Sequence, residues 1–259
     1  MLTTVLLASA GAIAVLMITT WLVSLLLKDA SIVDIIWGFG FVVVAATVAA
    51  VGDGFEDRRY LLLSLVAVWG LRLSGYLAWR NLGHGEDYRY VAMRKKFGDR
   101  FWWISLFQVF LLQGALMWVV SLPVQLSATA EEPASFGPLA FAGVALWTVG
   151  LLFETIGDAQ LASFKAEPHN KGRVMDRGLW RYTRHPNYFG DACVWWGIFL
   201  VAAETGIGVF TILSPIVMTL FLTKGSGAAL TERRMAGRPG FDEYVARTSG
   251  FFPLPPKRS

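Results

Sequence analysis

Apolar blocks of about 16 to 26 residues, set apart by charged or turn-rich breaks, dominate this chain, and a helix that crosses a bilayer needs roughly 20 such residues. Reading block by block gives seven expected spans at roughly 2–27, 31–51, 60–80, 102–123, 138–161, 188–203 and 206–223. With 55% hydrophobic and 16% charged residues, the chain is too apolar for a disordered segment or a nucleic-acid tail. The single cysteine, Cys193, excludes an intrachain disulfide scaffold. The expected fold is therefore all-α, a polytopic integral membrane protein forming one domain over 1–259. The first block follows no Lys or Arg and is too long for the core of a signal peptide, so it reads as a retained span. The last two blocks are parted only by Glu204-Thr205-Gly206, the pattern of a tight helical hairpin.

Charge sets the expected orientation. Of the 23 Lys and Arg, all but Arg58, Arg59 and Arg72 fall at Lys28, in the 80–100 and 165–184 segments, or in the tail from Lys224. With seven spans these segments share one side, so the positive-inside rule puts the C-terminus in the cytoplasm and the N-terminus outside. The connection 124–137 then reads as an outer loop. Many of these cations suit anionic headgroups, so membrane lipids are expected partners.

Ionisable side chains inside a span are costly and point to function or to pairing. Asp34 lies early in the second span. Arg72 and Tyr76 share a face of the third, Glu154 and Asp158 a face of the fifth, and Asp191 follows the start of the sixth. The bland alternative is a structural pair, with Arg72 neutralised by Asp34 or Glu154. Gln108 and Gln113 in the fourth span suit interhelical hydrogen bonding.

The segment 154–191 carries the densest signal. Lys165, Lys171, Arg173, Arg177, Arg181 and Arg184 precede His185-Pro186-Asn187-Tyr188 at an expected helix start. Convergent cations at a helix N-terminus suit a multiply charged anion, since arginine offers fork geometry to phosphate. Asp158 and Asn187 suit ribose hydroxyls or a carboxamide, and Tyr182 and Tyr188 can flank a ring. Against this stands an ordinary basic loop on lipid. Gly38-x-Gly40, Gly83-x-Gly85 and Gly225-x-Gly227 lack the third glycine of a dinucleotide fingerprint, and the three His are dispersed, so no metal set is expected. No nucleic-acid module and no internal repeat is present.

The run Arg184-His-Pro-Asn-Tyr-Phe-Gly-Asp191, preceded by Gly178-Leu-Trp180, resembles the C-terminal half of the steroid 5-alpha-reductase family. So does the tail Glu232-Arg233-Arg234-Met235 with Phe241-Asp-Glu-Tyr244 and Phe252-Pro253. Trp69-Gly-Leu-Arg72, Glu86-Asp-Tyr-Arg-Tyr90 and Gln113-Gly114 look like its bacterial branch, and the similarity runs from about residue 31. Membrane methyltransferases share the Arg-His-Pro-x-Tyr run.

The resemblance implies a seven-helix NADPH-dependent reductase of the 4,5 double bond of a 3-oxo-4-ene steroid or similar lipidic enone, in a bacterial inner membrane with its cofactor site facing the cytoplasm. Residues 1–123 would serve mainly the substrate and 138–259 mainly the cofactor. Asp158, Lys165, Asn187 and Tyr76 match cofactor positions. Arg72, Glu154, Arg173, Arg181, Tyr182, Arg184, His185, Tyr188, Asp191 and Arg233 complete the expected cofactor set. Asp34 answers to a glutamate that, with a tyrosine on the third helix, holds the steroid carbonyl; Tyr76 is the other catalytic candidate. Trp37, Trp69 and Trp195 are the expected substrate-side aromatics. Three departures stand out: Trp69 where that tyrosine is expected, Glu154 for an asparagine, and Lys165 for an arginine. Two other readings stay open, a methyltransferase using S-adenosylmethionine on a lipid or prenylcysteine, and a non-catalytic lipid-binding or transport protein.

Overall fold

The computed structural model describes residues 1–225 and 227–257; Arg258, part of the basic tail, lies outside the described residues. Those residues form helices and turns, with one isolated bridge between Thr183 and Ser249 and no strand. Six helices are long and apolar enough to cross a membrane: Leu2–Leu27, Ile32–Val51, Glu56–Asn81, Tyr88–Val120, Pro138–Ala166 and Gly208–Met235. The expected span at 188–203 appears as Pro186–Ala202, whose 17 residues stop short of the length of the other six.

The chain divides into two compact units, Met1–Gly137 with Val201–Ser214, and Pro138–Leu200 with Pro215–Ser259. Val201–Ser214, late in the chain, thus belongs with the first unit. There Ser214 Oγ donates to the Val120 carbonyl.

In the first unit, α1 (Leu2–Leu27) and α2 (Ile32–Val51) are apolar nearly all round, as lipid-facing helices must be, while α3 (Glu56–Asn81) has an apolar middle interrupted by Arg72 and charged ends. The side chains α1 buries, Val5, Ser9, Ile13, Met17, Thr20 and Ser24, recur every three or four residues and form one stripe. Lipid tails are as apolar as Leu, so close backbone approach drives helix pairing in a membrane. Gly38 and Gly70 permit it between α2 and α3: a Cβ on Gly38 would stand 2.4 Å from the Gly70 carbonyl oxygen, and one on Gly70 2.5 Å from that of Gly38. Arg59 closes the C-terminus of α2, its guanidinium donating to the carbonyls of Ala49 and Gly52 at 2.7 Å each. Arg58 is fully buried and donates to Ala130 at 2.9 Å and to Pro133, fastening the connection that follows.

The fourth helical run starts well before the expected 102. It comprises α4 (Tyr88–Phe97), a 3₁₀ turn, α5 (Phe101–Ser105), a π-helical stretch at Leu106–Leu111 and α6 (Leu112–Val120). Its first turn is capped by Asp87, whose carboxylate accepts from the Arg89 amide at 2.9 Å. The expected outer loop 124–137 is in part helical, because α7 (Leu122–Ser127) intervenes. Gln125 on α7 is fully buried and satisfied: it accepts from Ser9 at 2.8 Å and donates to the Trp118 carbonyl and Ser121 Oγ.

The second unit pairs α8 (Pro138–Ala166) with α9 (Pro186–Ala202), again on glycine. A Cβ on Gly150 or on Gly190 would stand 2.5 Å from the other's carbonyl oxygen. The chain passes into this unit within α10 (Leu213–Lys224), and α11 (Ala228–Met235) and α12 (Phe241–Arg247) follow.

Candidate functional site

Asp34 lies in the first turn of α2 with both carboxylate oxygens engaged. Tyr90 donates its hydroxyl to Oδ1 at 2.8 Å, and the Arg89 guanidinium pairs with Oδ2. Gln113 Nε2 in turn donates to the Tyr90 oxygen at 3.3 Å, and Arg89 Nε also reaches Asp87 at 2.9 Å. The alternative in which Arg72 neutralises Asp34 is therefore corrected: the cation is Arg89, from the helical turn after the Asp87 cap. Tyr90 is 5% exposed and the Asp34 side chain 20%, so the cluster is shielded yet open at its carboxylate end. Beside it Glu86 accepts from Arg94 and from the Ala30 amide, tying the start of α4 to the α1–α2 turn.

Sequence reasoning missed Arg89 and Tyr90 as partners of Asp34, having read 80–100 as a connection. The available signal was the Asp87 cap followed by Tyr90, Arg94 and Phe97 at helical spacing. Gln108, expected to bridge helices, is exposed, whereas Gln113 does bond Tyr90. The π-helical stretch shifts the helical phase just before Gln113, and such insertions are frequent at functional sites.

The other first-unit candidates lie on α2 and α3. Trp37 packs edge-on against Phe41 with ring centres 5.2 Å apart, and Phe41 against the fully buried Trp69 at 5.5 Å. Half-buried Arg72 and Tyr76 follow one turn apart on α3, and Tyr76 lies beneath the Arg80 guanidinium.

In the second unit Asp158, 5% exposed on α8, accepts from Asn187 Nδ2 at 3.4 Å, so these two expected cofactor residues are brought together. Glu154, Asp191 and Trp195 are buried on α8 and α9. Lys165 ends α8 in an exposed position, and Arg173, Arg181 and Arg233 are exposed, with Tyr182 45% exposed. The guanidinium groups of Arg173, Arg177 and Arg181 make no salt bridge among the described residues.

Arg184 and His185 are arranged differently from a ligand-facing pair. Both donate to Glu232 Oε1, at 2.8 and 2.9 Å, and Arg184 Nη1 also reaches the Thr248 carbonyl at 2.6 Å. They hold the C-terminal segment against the Gly178–Arg184 loop. The loop is gripped further by Tyr244, which donates to the Trp180 carbonyl at 2.6 Å, and by Thr183 bonding Phe251. Burial holds the His185 imidazole below its usual pKa against the opposing pull of Glu232, and burial raises the Tyr244 phenol. Tyr188 stacks on His185 with ring centres 5.5 Å apart. Glu232 was visible in the sequence only as part of the tail. Among the described residues no group of three or more His, Cys, Asp or Glu is placed to hold a metal.

Fold and sites together define a polytopic α-helical integral membrane protein with a half-buried carboxylate–phenol cluster in one unit and, in the other, a basic loop and a half-buried carboxylate–amide pair. The chain belongs to the family described as "Protein of unknown function (DUF1295)", whose model matches residues 20–248. It is similar to "Uncharacterized protein C594.04c" of Schizosaccharomyces pombe, at 24% identity over 90% of this chain and 75% of that one. No solved structure matches it.

Proposed function

We propose that the chain is an NADPH-dependent reductase of the carbon–carbon double bond in a 3-oxo-4-ene steroid or similar lipidic enone. The observation that carries this reading is the Asp34–Tyr90–Gln113 cluster. The resemblance asks for an acid on the second helix and a tyrosine to hold the substrate carbonyl, and Trp69 occupies the place expected for that tyrosine. Tyr90 supplies the phenol instead, from the fourth helical run. Asp34 orients its hydroxyl and Gln113 fixes its oxygen. A carbonyl arriving beside Tyr90 takes the hydroxyl hydrogen as it turns from Oδ1, leaving Asp34 with Arg89. Negative charge developing on the carbonyl oxygen then meets a donor already in place.

The second unit supports a phosphate-bearing cofactor. Three arginines without salt bridges among the described residues lie within nine residues, Arg173, Arg177 and Arg181, in the unit that also holds the Asp158–Asn187 pair. NADPH bound there would supply hydride for the β carbon of the enone, and a proton from water would complete the reduction at the α carbon. The arginines and Lys165 would hold its phosphates, and Asp158 and Asn187 its ribose hydroxyls or carboxamide. The resemblance of the Arg184–Asp191 run to the steroid 5-alpha-reductase family supports the same reading. We take Pro186–Ala202 as a seventh crossing, about 26 Å long at 1.5 Å per residue, with the N-terminus outside and the basic segments facing the cytoplasm of a bacterial inner membrane.

Thermal unfolding of the detergent-purified protein with NADPH or with S-adenosylmethionine tests the cofactor. Stabilisation by NADPH is expected. Stabilisation by S-adenosylmethionine alone would establish the methyltransferase reading, and response to neither would favour a lipid-binding protein.

A further inference from the structure

A cavity of about 300 Å³ opens in the first unit between the end of α1 and the α4–α5 region. Leu25, Phe101 and Trp102 give it an apolar wall, while Ser24, Ser105, Lys28 and Arg94 make it polar. Arg94 is neutralised by Glu86 at 2.8 Å and lies over the Phe101 ring. Lys28 makes no ion pair among the described residues, and the carboxylate of Asp29 beside it is taken up by Ser31, so the Lys28 ammonium is held by no acidic side chain.

The backbone at Lys28 is a second, independent observation. Lys28 closes α1 in the left-handed conformation, at φ 55° and ψ 34°, and is the only non-glycine residue with positive φ among the described residues. Glycine adopts this helix-ending geometry without strain, whereas a residue with a Cβ does not. The chain thus bears a strained backbone where it places this cation. Leu26 and Leu27 beside it are 83% and 61% exposed, a surface for acyl chains, and Trp102 is 55% exposed, as suits an aromatic residue at the bilayer interface.

We propose that this cavity binds the phosphodiester of an anionic membrane lipid, with Lys28 pairing the phosphate and Leu25, Phe101 and Trp102 packing the glycerol and upper acyl chain. A cation held by no acidic side chain suits the single charge of a phosphodiester, and the apolar wall distinguishes a lipid from free phosphate.

The test is thermal unfolding in detergent with added phosphatidylglycerol, phosphatidylcholine or inorganic phosphate, for wild type, Lys28→Gly and Lys95→Ala. Lys28→Gly keeps the φ 55° turn without strain while removing the cation; if it fails to fold, Lys28→Asn, which also tolerates this conformation, takes its place. The expected result is a shift with phosphatidylglycerol that exceeds both other ligands, persists in Lys95→Ala and falls by at least half in the Lys28 variant. The proposal is overturned if phosphatidylcholine or inorganic phosphate gives an equal shift, if the Lys28 variant keeps it, or if Lys95→Ala loses as much.

Discussion

Changing Tyr90 to Phe removes one oxygen atom and separates two roles for the cluster. The phenol donates to Asp34 at 2.8 Å and accepts from Gln113 at 3.3 Å, the second bond being a long one. A hydrogen bond to a charged group contributes about 1.5–3 kcal/mol net. The Asp34 side chain is 20% exposed and keeps Arg89 on its other oxygen, so water recovers part of this. The structural cost is then about 1–2 kcal/mol, seen as a lower unfolding temperature in detergent. The catalytic cost is of another size, because losing one donor to a developing oxyanion costs about a hundredfold to a thousandfold in turnover. NADPH-driven reduction of a 3-oxo-4-ene steroid by Tyr90→Phe should therefore fall by that factor while NADPH affinity stays unchanged. Asp34→Asn should lower turnover in the same direction and cost little stability through Arg89, which is one third exposed and keeps Asp87 at 2.9 Å. If Tyr90→Phe is destabilised but turns over within about threefold of wild type, a carbonyl-polarising role is refuted, since so small a loss is far below that of an oxyanion donor.

Three further outcomes follow from the geometry. Gly38→Ala forces a methyl group to within 2.4 Å of the Gly70 carbonyl oxygen, and should cost about 1–3 kcal/mol in chemical or thermal unfolding. Because burial lowers the His185 pKa, the folded state resists protonating it; stability is full above about pH 6.5 and falls as pH drops through the folded value. His185→Gln should flatten that part of the stability–pH curve. Replacing both Arg173 and Arg181 by Ala should weaken NADPH binding, measured by titration, about tenfold or more for each phosphate deprived of its arginine, with little effect on unfolding because both side chains are exposed.

Hydropathy located the apolar helices well because the bilayer demands an uninterrupted apolar stretch: α1 starts and ends where the first block does, and α2 differs by one residue. It failed where helices continue into polar sequence. The charges of Arg89, Arg94, Lys95 and Lys96 hid α4, although Asp87 capped it and Tyr90 faced inward. Asp34 stood out because a carboxylate in a span is costly, yet its partners come from 55 and 56 residues away in the segment read as a connection. Arg184 and His185 stand among the expected cofactor residues on local charge and on the resemblance of their run. Their partner Glu232 lies almost fifty residues downstream, and only the fold shows that they bind the chain's own tail. Asp158 and Asn187 were legible as candidates for the same ligand groups, whereas the bond between them is visible only in the fold.

The central claim is enone reduction with NADPH as donor. Purified protein should be incubated with NADPH and a panel of 3-oxo-4-ene steroids, following nicotinamide oxidation together with product mass and enone absorbance. The predicted result is NADPH oxidation matched by a product that gains two hydrogens and loses the enone chromophore. NADPH binding without consumption on any 3-oxo-4-ene substrate, or a product that keeps its carbon–carbon double bond, would contradict it.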